Sequence, residues 1–380
     1  MSMSTTMTDD HPIEQGSTAA GPIADGPVEN GAPDDGSVRD SVRSYYGDTL
    51  QTSADLRTSA CCSIDAMPDY LRKITALLHP EVTDRFYGCG SPIPPALEGA
   101  VVLDLGCGTG RDSYLISKLV GERGRVIGVD MTPSQLDLAR RHRDYHAHAV
   151  GHARRNVEFL AGDLADLAAL GIADASVDVV VSNCVLNLVP DKRRAFSEIM
   201  RVLKPGGELY FADVFADCRL PPALMADPVL LGECLAGALY VEDFRRLMMQ
   251  LGVADARVCA RSPISLTDPA IAARIGFARF ESITWRAFRL PLEDRCEDYG
   301  QVATYLGTLP GQPHAFDLDD HHHFQTARPL RVCGNTADML GASRYAKHLR
   351  IDGDKRRHFG LFECTPATFA AAVSPGAACC

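Results

Sequence analysis

Residues 101–130 constrain the fold more than any other stretch: VVLDLGCGTGRDSYLISKLVGERGRVIGVD. Val101-Val102-Leu103 is a short, β-branched apolar run, the composition of a parallel strand buried on both faces. Gly106, Gly108 and Gly110 then alternate with Cys107 and Thr109. Glycine has no Cβ, so a backbone built on it turns sharply and approaches a ligand closely. A helical pattern runs from Asp112 to Val120, and a second apolar strand over 125–129 ends in Asp130. The spacing predicts a βαβ unit with a nucleotide-type loop at its first turn and an acid where a ribose lies.

The loop is not that of a dinucleotide site. A G-x-G-x-x-G fingerprint requires its third glycine at position 111, which is Arg111. Asp104 stands just ahead of the loop, where a carboxylate repels a pyrophosphate but tolerates an ammonium or a sulfonium. The hydrophobic-Asp-x-Gly-x-Gly-x-Gly pattern resembles motif I of the class I methyltransferases, which implies S-adenosylmethionine as the cofactor.

The rest of the chain repeats the alternation. Strands are expected at 157–161, 178–182 and 208–214. Helices are expected from the Thr132/Gln135 capping box and Pro133 to about Val150, and from Pro190 to Leu203. The fold class is α/β, a Rossmann-like, mostly parallel sheet, with a second, smaller α+β domain at the C-terminal end. In such sheets ligands bind beyond the strand C-termini, where Asp104 to Gly110, Asp130, Asp163 and Asn183-Cys184 all fall. The expected domains are a disordered Gly/Pro/Ser-rich tail at 1–38, a methyltransferase domain at 39–252, the α+β domain at 253–364 and a Cys-ending tail at 365–380. The net charge of −11 argues against nucleic acid or an anionic membrane as partner. With no apolar run of membrane-spanning length and no apolar leader, a cytoplasmic monomer is expected. Thirteen cysteines without one C-x-x-C pair give no local support for a zinc or thioredoxin-type site.

Several longer segments are more specific than the loop. They are Tyr45-Tyr46-Gly47, Ser53-Ala54-Asp55-Leu56 leading to Cys61, Tyr87-Gly88-Cys89-Gly90, SNCVLNLVPDK from Ser182, and GECLAGALY from Gly232. Together with motif I they make residues 40–360 resemble the arsenite S-adenosylmethionine methyltransferases. The resemblance implies that Cys89, Cys184 and Cys234 bind trivalent arsenic as thiolates. Cys61, adjoined by Cys62, supports the redox part of the cycle. Tyr46, Asp104, Gly106, Gly108, Gly110, Asp130, Met131, Asp163 and Asn183 are the implied cofactor residues. Arsenite or its thiol conjugates are the implied substrate, and glutathione or thioredoxin the implied reductant. A disulfide of Cys89 with Cys61 is the expected internal electron source. Cys379-Cys380 resembles the cysteine-rich ends of some members, as a loose metalloid site.

The chemistry suits these residue types. Arsenic(III) is soft, and thiolates are its natural ligands. Three of them leave one lone pair as nucleophile, to be brought within about 3–3.5 Å of an activated methyl group. No proton leaves arsenic, so no general base is needed. Cys218, Cys259, Cys296, Cys333 and Cys364 read as small buried hydrophobes. His321-His322-His323 reads as a solvated loop among Asp317, Asp319 and Asp320. Two other readings compete: methylation of an organic acceptor such as a quinone or sterol, and metalloid sequestration without turnover.

Overall fold

Strands that are apolar on both faces belong in the middle of a covered sheet, and here they lie there. A computed structural model describes residues 34–49, 67–89 and 91–363. Ahead of the sheet come α1 (Asp35–Ser44), a π-helical turn over Tyr45–Thr49, α2 (Asp69–Thr75) and α3 (Pro80–Thr83). The expected alternation follows: β1 (Val101–Leu105), α4 (Arg111–Val120), β2 (Arg125–Asp130), α5 (Pro133–Arg141), α6 (Arg143–Ala149), β3 (Val157–Ala161), β4 (Val177–Asn183), α7 (Lys192–Val202) and β5 (Leu203–Ala216). Then come α8 (Pro228–Gly232), β6 (Leu239–Tyr240), α9 (Val241–Gln250), β7 (Arg257–Ile264), α10 (Pro269–Ile275) and β8 (Phe280–Phe288).

The main sheet has eight strands in the order β3-β2-β1-β4-β5-β8-β7, with β6 paired to β5. Strands β1 to β6 pair in parallel, and β8 joins antiparallel to β5 and β7. Val102, Leu103, Val179, Val180 and Val181 are fully or almost fully buried, which is what packing on both faces requires. One face carries Phe196, Phe211, Phe244 and Trp285 under α7 and α9; the other packs Leu115, Ile116 and Leu136 of α4 and α5. Reversal of strand order between β1 and β4 opens a crevice above their C-terminal ends. That crevice positions the site.

Beyond the main sheet lie β9 (Val302–Tyr305), β10 (Ala315–Asp317), β11 (His323–Gln325), β12 (Pro329–Arg331), α11 (Gly334–Gly341) and β13 (Leu349–Asp352). They form a two-stranded sheet, β10-β11, and a three-stranded sheet, β12-β9-β13, around a core of Tyr305, Phe316, Phe324 and Tyr345. No helix among the described residues is long and apolar enough to cross a membrane.

Four expectations need correction. Helix α1 starts inside the expected tail, because Asp34 caps it by accepting from Gly36 N at 3.0 Å and Ser37 N at 3.1 Å, and Val38 is buried. The capping box at Thr132 does not form, since Gln135 Nε2 turns away to donate to Tyr46 O at 3.1 Å. The helix expected to reach Val150 breaks at His142, which separates α5 from α6. The boundary expected after residue 252 does not match a break in the main sheet, because β7 and β8 both belong to it.

Candidate active site

The glycine loop wraps the end of β1 under backbone control. Gly106 N and Cys107 N both donate to Val129 O, at 2.7 and 3.1 Å, which pins the loop to β2. Gly106 has φ 70°, and a Cβ there would strike the Val185 side chain. Gly108 has φ 51° and nothing within 4 Å of where a Cβ would stand, so its face is open. Its N–H donates to Asp130 Oδ2 at 2.9 Å, and Thr132 N reaches Asp130 Oδ1 at 2.8 Å. The Asp130 carboxyl is therefore fixed, with burial raising its pKa against these amide bonds. Gly110, at φ 86°, starts α4.

Asp104 is buried beneath the loop and accepts from Ser113 Oγ at 2.5 Å. Burial, with the neighbouring Asp112 carboxylate second, pushes its pKa up to about 7. Asp112 links the glycine loop to the cysteines. Its Oδ2 accepts from Asn183 Nδ2 at 2.9 Å, and Asn183 Oδ1 accepts from Cys89 N at 3.0 Å. Ser282 Oγ donates to Cys89 O at 3.0 Å, so the Cys89 backbone is held at both ends. Arg111 pairs with Asp112 and lies 3.8 Å over the Phe86 ring, steadying the segment that leads to Cys89.

Cys89, Cys184 and Cys234 come from three separated segments and share one apolar cluster with Val42, Leu188 and Leu230. All three are buried, at 3, 5 and 4 % exposure. Cys89 Sγ and Cys184 Sγ are joined as a disulfide, with Cα atoms 5.7 Å apart. Cys234 Sγ donates to Cys184 O at 3.3 Å. Cys184 at φ 57° and Cys234 at φ 60° both occupy the left-handed region, which is costly for a residue with a side chain. Such strain persists where the surroundings over-determine it, and it concentrates at functional positions.

The surroundings are visible. Cys184 N extends the β4–β5 ladder to Ala212 O at 2.8 Å. Asn187 Nδ2 donates to Val214 O at 2.5 Å and to Cys234 O at 3.4 Å, and its N–H reaches Asp213 Oδ2 at 3.0 Å. Lys192 Nζ donates to Asn187 O and Val189 O, each at 3.1 Å. Burial lowers the Lys192 ammonium to about 8 and raises the Asp213 carboxyl to about 7. The π-helical turn closes the other side. Tyr45 Oη donates to Glu233 Oε1 at 3.0 Å, and Tyr46 Oη donates to Gly232 O at 2.7 Å, so two tyrosines hold the residues before Cys234.

Most of the expected residues meet at one cleft. Tyr46, Asp104, Gly106, Gly108, Asp130, Met131, Asp163, Asn183 and Cys184 line it. Asp163 is bound by Arg39 of α1 at 2.9 Å. Cys89 and Cys234 pack directly behind Cys184. Cys61, Cys62, Cys379 and Cys380 lie outside the described residues. The disulfide expected between Cys89 and Cys61 involves a residue outside the described ones; in this structure Cys89, drawn by Asn183 onto the end of β4, is paired with Cys184. Sequence reasoning did not single out Asn187, Asp213 or Ser282, and it gave Asp112 only as a helix start and Gln135 only as a cap. Asp213 left a signal: an acid inside the apolar strand YFADVFA is a buried titratable group.

Comparisons with known proteins now bear on this cleft. A family model described as a methyltransferase domain matches residues 97–252. The arsenite methyltransferase of Aquipseudomonas alcaligenes is 52% identical over 348 residues, which is 90% of this chain and 100% of that protein. The chain belongs to the arsenite methyltransferase family. The Mus musculus member is 40% identical over 81% of this chain and 82% of its own. The crystal structure of an arsenic (III) S-adenosylmethionine methyltransferase from Chlamydomonas reinhardtii superposes with a TM-score of 0.76 at 50% identity, covering 78% of this chain and 100% of that one. The cleft suits the cofactor of this family. Gly108 leaves open space, Asp104 offers a buried carboxyl and Asp130 a half-buried one, and Gln135 Oε1 is a buried acceptor without a partner among the described residues.

Proposed function

We propose that this cleft methylates trivalent arsenic, with Cys89, Cys184 and Cys234 as the thiolates that hold it. The observation that carries the reading is the convergence of three cysteines, from three separated segments, in one buried cluster against the glycine loop. A soft trivalent centre takes three sulfur ligands, and the packing here offers three. When bound, S-adenosylmethionine supplies an electrophilic methyl group on a cationic sulfur, for which the arsenic lone pair is the nucleophile.

The chain's own residues do the positioning. Asp130 and Asp163 would offer acceptors to the hydroxyl and amine donors of the cofactor, and Asp104 would offer a carboxyl to its positive charge. Asn183 ties the Cys89 backbone to Asp112, so the thiols and the cofactor loop are held by one set of hydrogen bonds. Apolar burial by Val42, Leu188 and Leu230 keeps water from the thiolates. The Cys89–Cys184 disulfide is the oxidised form of two of the ligands, so two electrons from an external thiol must open it before arsenic binds. Transfer leaves arsenic formally pentavalent, and two more thiol electrons return it to the trivalent state. Glutathione or thioredoxin is the reductant we assign to both steps.

The test is methylation of arsenite by the purified chain with S-adenosylmethionine and glutathione, resolving arsenic species over time, beside Cys184→Ser. Methylated arsenicals are expected from the wild type and only background from the variant. An active Cys184→Ser enzyme would overturn the ligand assignment. Arsenite binding by the wild type without methylation would favour sequestration, and neither binding nor methylation would favour an organic acceptor.

A further inference from the structure

Two cysteines far from motif I in sequence meet outside the cleft. Cys333 caps α11, and its sulfur accepts from Thr336 N at 3.4 Å and lies 3.2 Å from Thr336 Oγ1. Arg257 Nη2 points at the same sulfur from 3.9 Å. The guanidinium is itself fixed, by Asp255 at 2.5 and 2.6 Å and by Asp319 at 3.0 Å. His322, expected in a solvated loop, instead holds buried Asp319 at 2.8 Å. The Cys296 side chain lies next to the Cys333 sulfur, as the backbone bond between the residues that follow them requires.

Both cysteines rest on fixed backbone. Gly334 N donates to Glu297 O at 2.8 Å, which ties the start of α11 to the residue after Cys296. Phe362 N donates to Cys296 O at 2.7 Å from the other side. The environments differ in one respect: Cys333 is fully buried, whereas Cys296 is partly open to solvent. The adjacent Cys296 side chain, then Thr336 and the Arg257 charge, hold the Cys333 thiol well below its ordinary value despite burial.

We propose that Cys296 and Cys333 form a redox-active dithiol, separate from the cysteines of the cleft, that closes to an intramolecular disulfide on reaction with a small-molecule disulfide. Cys296, the accessible sulfur, attacks the S–S bond of the small molecule and releases one thiolate. Cys333, as a thiolate, then attacks Cys296 Sγ and releases the second. The two protein thiols lose two electrons, the small disulfide gains them, and the two protons leave on the departing thiols. The inference goes beyond the methyl-transfer reading and stands without it, because it uses none of the same cysteines.

The experiment uses the full chain in glutathione–glutathione disulfide buffers of increasing oxidising poise. Samples are acid-quenched, alkylated with N-ethylmaleimide, digested with trypsin without reductant and analysed by mass spectrometry. Trypsin separates the two cysteines, cutting after Arg295, Arg331 and Arg344. The expected product is the Cys296 peptide joined to the Cys333 peptide, two hydrogens lighter than their sum. In Cys333→Ser, whose hydroxyl retains a helix cap, Cys296 should accumulate the mixed disulfide with glutathione at least about tenfold over wild type, because its resolving thiolate is gone. The wild-type result needs no variant to fold. The proposal is overturned if both cysteines remain alkylated in the most oxidising buffer, or if Cys296 is found joined to any cysteine other than Cys333.

Discussion

Buried acids lie at both ends of the central sheet, and their surroundings are opposite. In the first half of β5, where its pairing with β8 begins, Glu208 is wholly buried between two guanidinium groups. Arg286 Nε meets its Oε1 at 2.5 Å, Arg344 pairs with its Oε2, and Tyr345 Oη donates to it at 3.3 Å. At the C-terminal strand edge, buried Asp104 and Asp213 and half-buried Asp130 have amide, hydroxyl and distant lysine partners, and among the described residues no guanidinium bridges them. Their carboxyls are all raised by burial. The first arrangement is complete in the protein alone. The second carries a deficit of positive charge, which suits the cationic cofactor proposed for it. One sheet thus separates charge used for architecture from charge that the proposed function assigns to binding.

The largest effect should come from breaking the complete set. Glu208→Ala strands Arg286 and Arg344 in the interior and should lower stability by about 3–5 kcal/mol, read from urea unfolding. Asn183→Ala removes both hydrogen bonds that join Asp112 to the Cys89 backbone. A loss of about 1–3 kcal/mol is expected, together with slower arsenite capture by stopped-flow binding. Asp104→Asn should weaken S-adenosylmethionine binding by about tenfold, close to 1.4 kcal/mol by calorimetry, with little loss of stability. Equal destabilisation by Asp104→Asn and Glu208→Ala would erase the contrast between the two ends.

The pH response gives the contrast a sign. Asp104 has its pKa raised from 3.8 to about 7 in the folded chain. Between those values the folded state holds a proton that the unfolded chain releases, so this group's contribution to stability falls as pH rises from about 4 to 7. Affinity for a cationic ligand should rise over the upper part of the same window, as the carboxyl ionises. Asp104→Asn should flatten both trends, and titrations at pH 6 and 8 compare them. Least of all, Gln135→Leu loses the bond to Tyr46 O and the unpartnered acceptor, for about 1 kcal/mol of thermal stability and a similar change in cofactor affinity.

Legibility in the sequence followed the range of the interactions. The β1–α4–β2 unit could be read because buried parallel strands are written as unbroken apolar runs, and the loop as spaced glycines. Asp104, Gly108 and Asp130 came with it. Cys89, Cys184 and Cys234 could not be reached that way, since each alone resembles an ordinary buried thiol; only the longer segments around them drew attention. Asp112 stayed hidden because its partner Asn183 is 71 residues away, and in sequence it reads as a first-turn acid of α4. Gln135 misled for the same reason, because a tertiary contact to Tyr46 displaced the local cap. The strands from β9 to β13 are three or four residues long, too short for alternation to declare itself.

The pair of tyrosines that grips Gly232 and Glu233 from nearly two hundred residues away has a further consequence. Neither they nor Cys89 fall within 97–252, the part shared with methyltransferase domains at large. A fragment trimmed to that part would retain the glycine loop, Cys184 and Cys234, yet lose Cys89, one of the three proposed ligands, and the clasp on the residues before Cys234. Transplanting this site into a different methyltransferase therefore requires grafting pieces that flank its catalytic core, and exchanging residues within that core would not suffice.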